Sequence, residues 1–313
     1  MSERLRVPPL AGATEWLNSE PLEAADLRGH VVLFNFWTLT CINWLRQEPY
    51  VRTWARAFRD DGLIVVGVHT PEFSFEHDPD LIRRASAERG IDYPVAVDSK
   101  FAIWSAFDNH FWPALYFADR DGYLRDYHFG EGRYEASERS LKRLLGVVKG
   151  AGPIEGVGVE APADWDHLRT PETYLGYQRG ERFTGVANHE ETTTYVAPGW
   201  LAVNHWALSG GWAMKPECVV AEDNDGSIGF RFHARDVHLV LNRSTTDPIP
   251  FRVLLDGEAP KGSHGVHTDE EGNGVLRDGG MYQLIRAAGR VRERTVEVVF
   301  EAPGAEAYAF TFG

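Results

Sequence analysis

Two stretches in the first half of the chain are almost unbroken runs of apolar residues. Residues 31–38, Val-Val-Leu-Phe-Asn-Phe-Trp-Thr, and 63–70, Leu-Ile-Val-Val-Gly-Val-His-Thr, carry few polar positions, as strands covered on both faces do. A helical segment is predicted between them, from about residue 41 to 59. Further helices fit 79–89 and, shorter, 100–107. Residues 114–118 read as a strand, 119–122 as a turn and 123–129 as its partner, the Asp121-Gly122 step supporting a hairpin. A last helix is expected over 135–149. Strand, helix and strand followed by a hairpin and helix make a layered α/β unit.

From residue 150 to about 170 the period disappears into a Gly- and Pro-rich stretch that reads as a linker. Beyond it the pattern changes to short β-rich runs over 200–203, 227–232, 237–241, 251–255, 281–286, 295–300 and 307–312. Gly, Asp and Asn clusters separate them, with no long helical pattern between. That spacing predicts an all-β sandwich or jelly roll. The expected organisation is an α/β domain over 1–150, a linker over 151–170 and a β-sandwich over 171–313.

A chain of 313 residues exceeds what one hydrophobic core usually serves, which agrees with two domains. Hydrophobic residues at 43% and charged ones at 25% are ordinary for a folded protein. The net charge of −14 argues against a nucleic-acid partner, which would call for clustered positive charge. Residues 1–150 hold 18 basic and 22 acidic side chains and the remainder 14 and 24, so most of the excess lies in the β half. No run approaches the roughly 18 apolar residues of a membrane helix, and the first residues lack the apolar core of a secretory signal. The expectation is a soluble, cytoplasmic protein without a membrane span.

There are two cysteines, Cys41 and Cys218, too few for a disulfide scaffold and without zinc-site spacing. Cys41 opens the first predicted helix, after the polar turn Thr38-Leu39-Thr40. Unpaired backbone N–H groups and the positive end of the helix dipole stabilise a thiolate there, and Thr38 or Thr40 can cap the helix or bond the sulfur. The same position also suits a small buried apolar residue, and the sequence pattern alone leaves both readings open. Cys218, between Glu217 and Val219, reads as a buried strand residue. His69 and Glu72 follow the second buried strand at its C-terminal end, where ligands bind in parallel sheets; each is either a general base or a solvated polar end. In the β half, Trp200, Trp206, Trp212, Tyr174 and Tyr177 are either sugar-stacking rings or core. The run from His264 to Glu271 reads as an acidic loop that fits no catalytic zinc pattern.

The run Phe34-Asn-Phe-Trp-Thr-Leu-Thr-Cys41-Ile-Asn-Trp-Leu-Arg resembles the active-site strand, loop and helix of the thioredoxin superfamily, and within it the TlpA-like and DipZ-type thiol–disulfide proteins. Pro49, eight residues after Cys41, matches the proline in that family's first helix. Phe111-Trp112-Pro113-Ala114-Leu115 matches the loop with the cis-proline, and Gly67-Val68-His69-Thr70-Pro71-Glu72-Phe73 is also similar. The resemblance covers residues 14–148. It continues through Tyr174-Leu-Gly-Tyr177, Asn204-His-Trp206-Ala-Leu-Ser-Gly210, His233-Ala-Arg-Asp-Val-His-Leu239 and Tyr308-Ala-Phe-Thr-Phe-Gly313 into a jelly roll akin to carbohydrate-binding modules.

The resemblance implies a thioredoxin fold with Cys41 as nucleophile. It implies substrate docking at Trp112 and a cis Pro113 with Trp44 beside them, support from Thr38, Thr40, Asn43 and Glu72, and neither cofactor nor metal. One departure matters. The family's site is Cys-x-x-Cys, and Trp44 stands where the second, resolving cysteine belongs. A dithiol enzyme uses that thiol to expel the mixed disulfide formed by the first, so here an external reducing thiol must do it. The expected function is monothiol redox chemistry on protein or small disulfides. A glycan- or partner-binding protein with an inert first domain, and a one-cysteine peroxidase, are the alternatives.

Overall fold

The computed structural model of the chain describes residues 5–154, 156 and 158–313. They form two compact units, Met1–Ala161 and Pro162–Gly313.

The first unit has the thioredoxin fold. Its strands are β1 (Glu15–Leu17), β2 (Val31–Trp37), β3 (Leu63–His69), β4 (Val95–Val97), β5 (Ala114–Ala118) and β6 (Leu124–Phe129). Its helices are α1 (Ile42–Ala57), α2 (Pro79–Glu88), α3 (Ala102–Ala106) and α4 (Tyr134–Leu145). The sheet order is β1-β4-β3-β2-β5-β6. β2 runs parallel to β3 and antiparallel to β5, so the strand leading to Cys41 lies in the middle of the sheet. Phe34, Phe36, Val66, Val68, Phe107 and Tyr116 fill the core on one face. Local chemistry sets the helix ends. The Asp78 carboxylate caps α2 by accepting from Asp80 N–H at 2.9 Å, with Pro79 in the first turn. The Asp98 carboxylate accepts from Ile103 and Trp104 N–H at the start of α3. Gly146, at φ 77°, ends α4 in the left-handed conformation that favours glycine.

The second unit is all β: β7 (Thr173–Tyr174), β8 (Thr192–Tyr195), β9 (Trp206–Met214), β10 (Val219–Ala221), β11 (Gly226–His233), β12 (Asp236–Arg243), β13 (Ile249–Leu255), β14 (Asn273–Leu276), β15 (Gly280–Arg286), β16 (Glu293–Phe300) and β17 (Ala305–Phe312). The main path is β14-β13-β16-β11-β9-β10-β17-β12-β15, with β7 on β17 and β8 on β9. β9 belongs to both halves of this sheet. Its residues up to Ser209 pair with β11, and those from Trp212 pair with β10. Gly210, at φ 88°, sits between the two segments. A Cβ at Gly210 would come within 3.1 Å of the Gly226 Cα, so the corner is tight against backbone. Trp206, Trp212, Phe230, Phe251, Phe300 and Phe310 pack the interior.

Most of the expected elements form within a residue or two of their expected ends. The strand expected over 200–203 does not. That segment is a turn through Asn204, at φ 65°, and the strand begins at Trp206. The three-residue strands β1 and β4, and β8, β9, β10 and β14, were also outside the expectation. In the stretch read as a linker, residues 158–160 make a 3-10 turn, and Arg89 lies 3.7 Å from Glu160.

Glu48 is wholly buried on α1 with one cation, Arg52, at 2.8 Å. Burial pushes its carboxyl up to about 7, against the pull of Arg52. The folded chain therefore holds this proton where the unfolded chain has released it. Stability contributed by the group is full below about 4.5 and falls as pH rises to about 7. Glu48→Gln removes that slope. Urea unfolding of variant and wild type should show the variant gaining on the order of 3 kcal/mol between pH 4.5 and pH 8. A difference between the two proteins that does not change with pH would contradict this assignment.

Candidate functional site

Cys41 lies one turn beyond β2 as the N-cap residue of α1. Its N–H donates to the Thr38 carbonyl at 3.3 Å, and its own carbonyl accepts from Leu45 N–H at 3.0 Å. Its side chain makes no capping hydrogen bond, and the first turn of α1 contains no acidic residue. The half-buried thiol thus stands where helix N–H groups and the helix dipole favour an anion. Neither cysteine is in a disulfide.

Thr38 and Thr40 are buried. Thr40 is held from both its backbone and its side chain: its N–H donates to Glu76 Oε1 at 3.1 Å and its hydroxyl to the same oxygen at 2.7 Å. The other oxygen of Glu76 accepts the N–H groups of Glu72, at 2.6 Å, and Phe73, at 2.9 Å. Burial pushes this carboxyl up to about 6, while hydrogen bonds from Phe73 and Thr40 hold it down. Glu76 did not emerge from the sequence. Its only signal there is an acidic residue set among aromatics in Phe73-Ser-Phe-Glu76, just after a buried strand. Glu72 is half-buried in the same turn and contributes its backbone N–H. Asn43 is half-buried in the first turn of α1.

The Trp112–Pro113 peptide bond is cis. Trp112 is half-buried, and its indole N–H donates to the Thr70 carbonyl at 3.1 Å. Thr70 N–H in turn donates to the carbonyl of Trp37, the last residue of β2. On the other side, the Pro113 carbonyl accepts from Gly130 N–H at 2.8 Å, and the Gly130 carbonyl accepts from Gln47 Nε2 on α1 at 3.2 Å. The cis-proline loop is thereby tied both to the end of β2 and to α1.

Trp44 is not a docking surface. It is fully buried and stacks on Trp37, with ring centroids 4.1 Å apart. Trp37 is fully buried as well, so of the expected docking residues Trp112 is the tryptophan with exposed surface. His69 is no external base either. It is fully buried, edge-on to Trp37 at 4.7 Å, and burial lowers it to about 3, so it stays neutral. Surface aromatics do stand beside the cis-proline loop. Phe111 stacks on Phe129 at 4.9 Å, and Phe129 stacks on Tyr127 at 4.9 Å. Tyr127 and Phe111 are 64% and 50% exposed.

In the second unit, Cys218 is buried just ahead of β10, and burial pushes its thiol up to about 12. Trp206 and Trp212 are core residues, which removes them as sugar-stacking surfaces. Tyr174 lies under the Arg179 guanidinium, and Tyr177 stacks on His189. Trp200 is 68% exposed, with Arg231 over its ring. His264 Nδ1 lies 2.8 Å from the Thr268 carbonyl, and Asp269 accepts from Asn273 N–H. Among the described residues, no group of three or more His, Cys, Asp or Glu side chains could hold a metal. Among them, too, no helix is long and apolar enough to cross a membrane.

Residues 170–313 match the family model described as thioredoxin like C-terminal domain. The DipZ proteins of Mycobacterium bovis and Mycobacterium tuberculosis are 34% identical over 98% of this chain. The chain spans 42% of their length. The thiol-disulfide oxidoreductase YkuV of Bacillus subtilis is 32% identical over 46% of this chain and 97% of its own. A solution structure of a thioredoxin-like protein in the oxidised form is 33% identical, covering 47% of this chain and 98% of that one, with a TM-score of 0.43. The chain belongs to the thioredoxin-like superfamily, among relatives of the thiol–disulfide oxidoreductase type.

Proposed function

We propose that the first unit is a one-thiol disulfide-exchange module acting on extended polypeptides, with Cys41 as its nucleophile. One observation carries this reading: a half-buried thiol stands at the N-terminus of α1 while the fourth position of the motif is a core tryptophan. Cys41 thiolate attacks one sulfur of a substrate disulfide. A Cys41–S bond forms, the substrate S–S bond breaks, and the leaving thiolate takes a proton from water. A second thiolate, from a small external thiol or a partner protein, then attacks the mixed disulfide and releases Cys41. The external sulfur is left bonded to the substrate sulfur as the Cys41–S bond breaks, so one disulfide replaces another, and full reduction of the substrate takes a second external thiol. No thiol at position 44 is present to short-circuit the adduct, so its lifetime depends on the concentration of the external thiol.

Two features support a polypeptide as substrate. The cis-proline loop is pinned at Trp112 and Pro113, presenting a fixed backbone edge for an extended chain. The exposed row Phe111–Phe129–Tyr127 continues from that loop along β6, which is the edge strand of its sheet. Rings exposed in a row are apolar area awaiting a partner.

The central test is incubation of the full chain with a peptide disulfide, followed by mass spectrometry. The expected product is a mixed disulfide on Cys41 that persists until a thiol is added and is missing in Cys41→Ser. Cys218 should stay unmodified until the protein is unfolded. Failure of the wild type to form the adduct, or reaction at Cys218 instead, would sink the proposal. A second measurement addresses docking. Replacing Phe111 and Tyr127 together by Ser should slow exchange with an apolar peptide disulfide about tenfold, while reaction with a small uncharged disulfide stays unchanged. Equal slowing of both would assign the rings to folding and not to docking.

A further inference from the structure

We propose that Glu76 is the positioning residue of the nucleophile loop, and that its ionisation switches Cys41 between a fast and a slow form. The inference rests on the reading of Cys41 as the reacting thiol. It adds a control on that thiol from a carboxylate on a different segment, between β3 and α2.

The geometry is a clamp. One fully buried carboxylate gathers four donors: the N–H and hydroxyl of Thr40 on one oxygen, and the N–H groups of Glu72 and Phe73 on the other. Thr40 directly precedes Cys41, so fixing its backbone also fixes the residue that starts α1. Two ionised oxygens have lone pairs for all four donors. A protonated carboxyl does not. It carries an O–H of its own, and only the threonine hydroxyls beside it, those of Thr40 and Thr38, can turn round to accept it. The three backbone N–H groups cannot reverse, and leaving a buried donor weakly paired is costly. Protonation therefore loosens the grip on the loop that carries Cys41.

Ordinary solution pH reaches this transition. Burial pushes Glu76 up to about 6, with its hydrogen bonds opposing that shift and Glu72 adding to it. Other titratable groups stand around it: Glu72 and His77 on its own segment, His69 at the end of β3, Asp98 beyond Thr70, and Cys41 on α1. His69 is held neutral by burial. The Asp98 carboxylate is occupied by the N–H groups of α3 and by the Thr70 hydroxyl at 3.3 Å.

The test uses the full chain carrying Cys218→Ser, so that one thiol reports, with a dipyridyl disulfide that stays reactive in mild acid. Rates of mixed-disulfide formation are measured from pH 4.5 to 9 and divided by the thiolate fraction, itself titrated by thiolate absorbance. The wild type should show a rise of about tenfold centred near pH 6. Glu76→Gln should be slow throughout and lack the rise. Thr40→Ser should retain it. Thr40→Val removes one donor to the ionised form and should move the rise to higher pH. If Glu76→Gln is too unstable to study, the Thr40 pair decides. A rise that survives Glu76→Gln belongs to a neighbour such as His77 and overturns the proposal, as does a pair of Thr40 variants with the same midpoint. A wild-type protein whose Cys41 fails to react at any pH would instead refute the disulfide-exchange reading.

Discussion

β2 pairs in parallel with β3 on one edge and antiparallel with β5 on the other, and none of its seven residues reaches solvent. A strand so enclosed cannot shift register without moving its whole apolar set out of two packed faces. The consequences run outward from its C-terminal end. The Trp37 carbonyl accepts from Thr70 N–H, the Thr70 carbonyl accepts from the indole N–H of Trp112, and the turn 38–40 delivers Cys41 to the start of α1. Cys41 and the cis-proline loop are thus held by the same strand end, although Cys41 and Trp112 are 71 positions apart in sequence.

Trp44 shows how a single substitution in a catalytic motif can be absorbed by the fold. In a dithiol site this position carries a small thiol beside the nucleophile. Here the ring turns inward, stacks on Trp37 and closes an aromatic column that ends at His69. Such a stack adds about 0.5–1.5 kcal/mol beyond the burial of its area. The large residue therefore serves the core and leaves no thiol at this position.

The apolar runs at 31–38 and 63–70, the hairpin at 114–129 and the helix start at Cys41 were legible because each rests on local pattern: a continuous run, a turn dipeptide, a polar loop before a helix; the cap itself falls on Cys41 and not on Thr38 or Thr40. β9 was hidden because its Gly210-Gly211 pair looks like a turn, when it is the bend of a strand shared by two halves of a sheet. Trp200, adjacent to Leu201, looked like a strand start and is instead on the surface. Trp44 was misplaced for a related reason: periodicity gives the face of a helix but not which large rings meet beneath it. Glu76 was invisible because its role depends entirely on contacts across 36 residues of chain.

Three buried carboxylates illustrate what such contacts decide. Asp236, in the second unit, has Arg235 and Arg286 within 2.8 Å and stays below its ordinary range despite burial. Its charge is therefore permanent at physiological pH, and it acts as a fixed tie. Glu48 has one arginine and is raised. Glu76 is met by N–H and O–H donors and is raised as well. Two arginines outweigh burial at Asp236, whereas one contacting arginine at Glu48 and the hydrogen-bond donors at Glu76 offset it only in part. Of these three, the two raised carboxylates lie in the first unit, and one of them is hydrogen-bonded to Thr40, the residue next to Cys41.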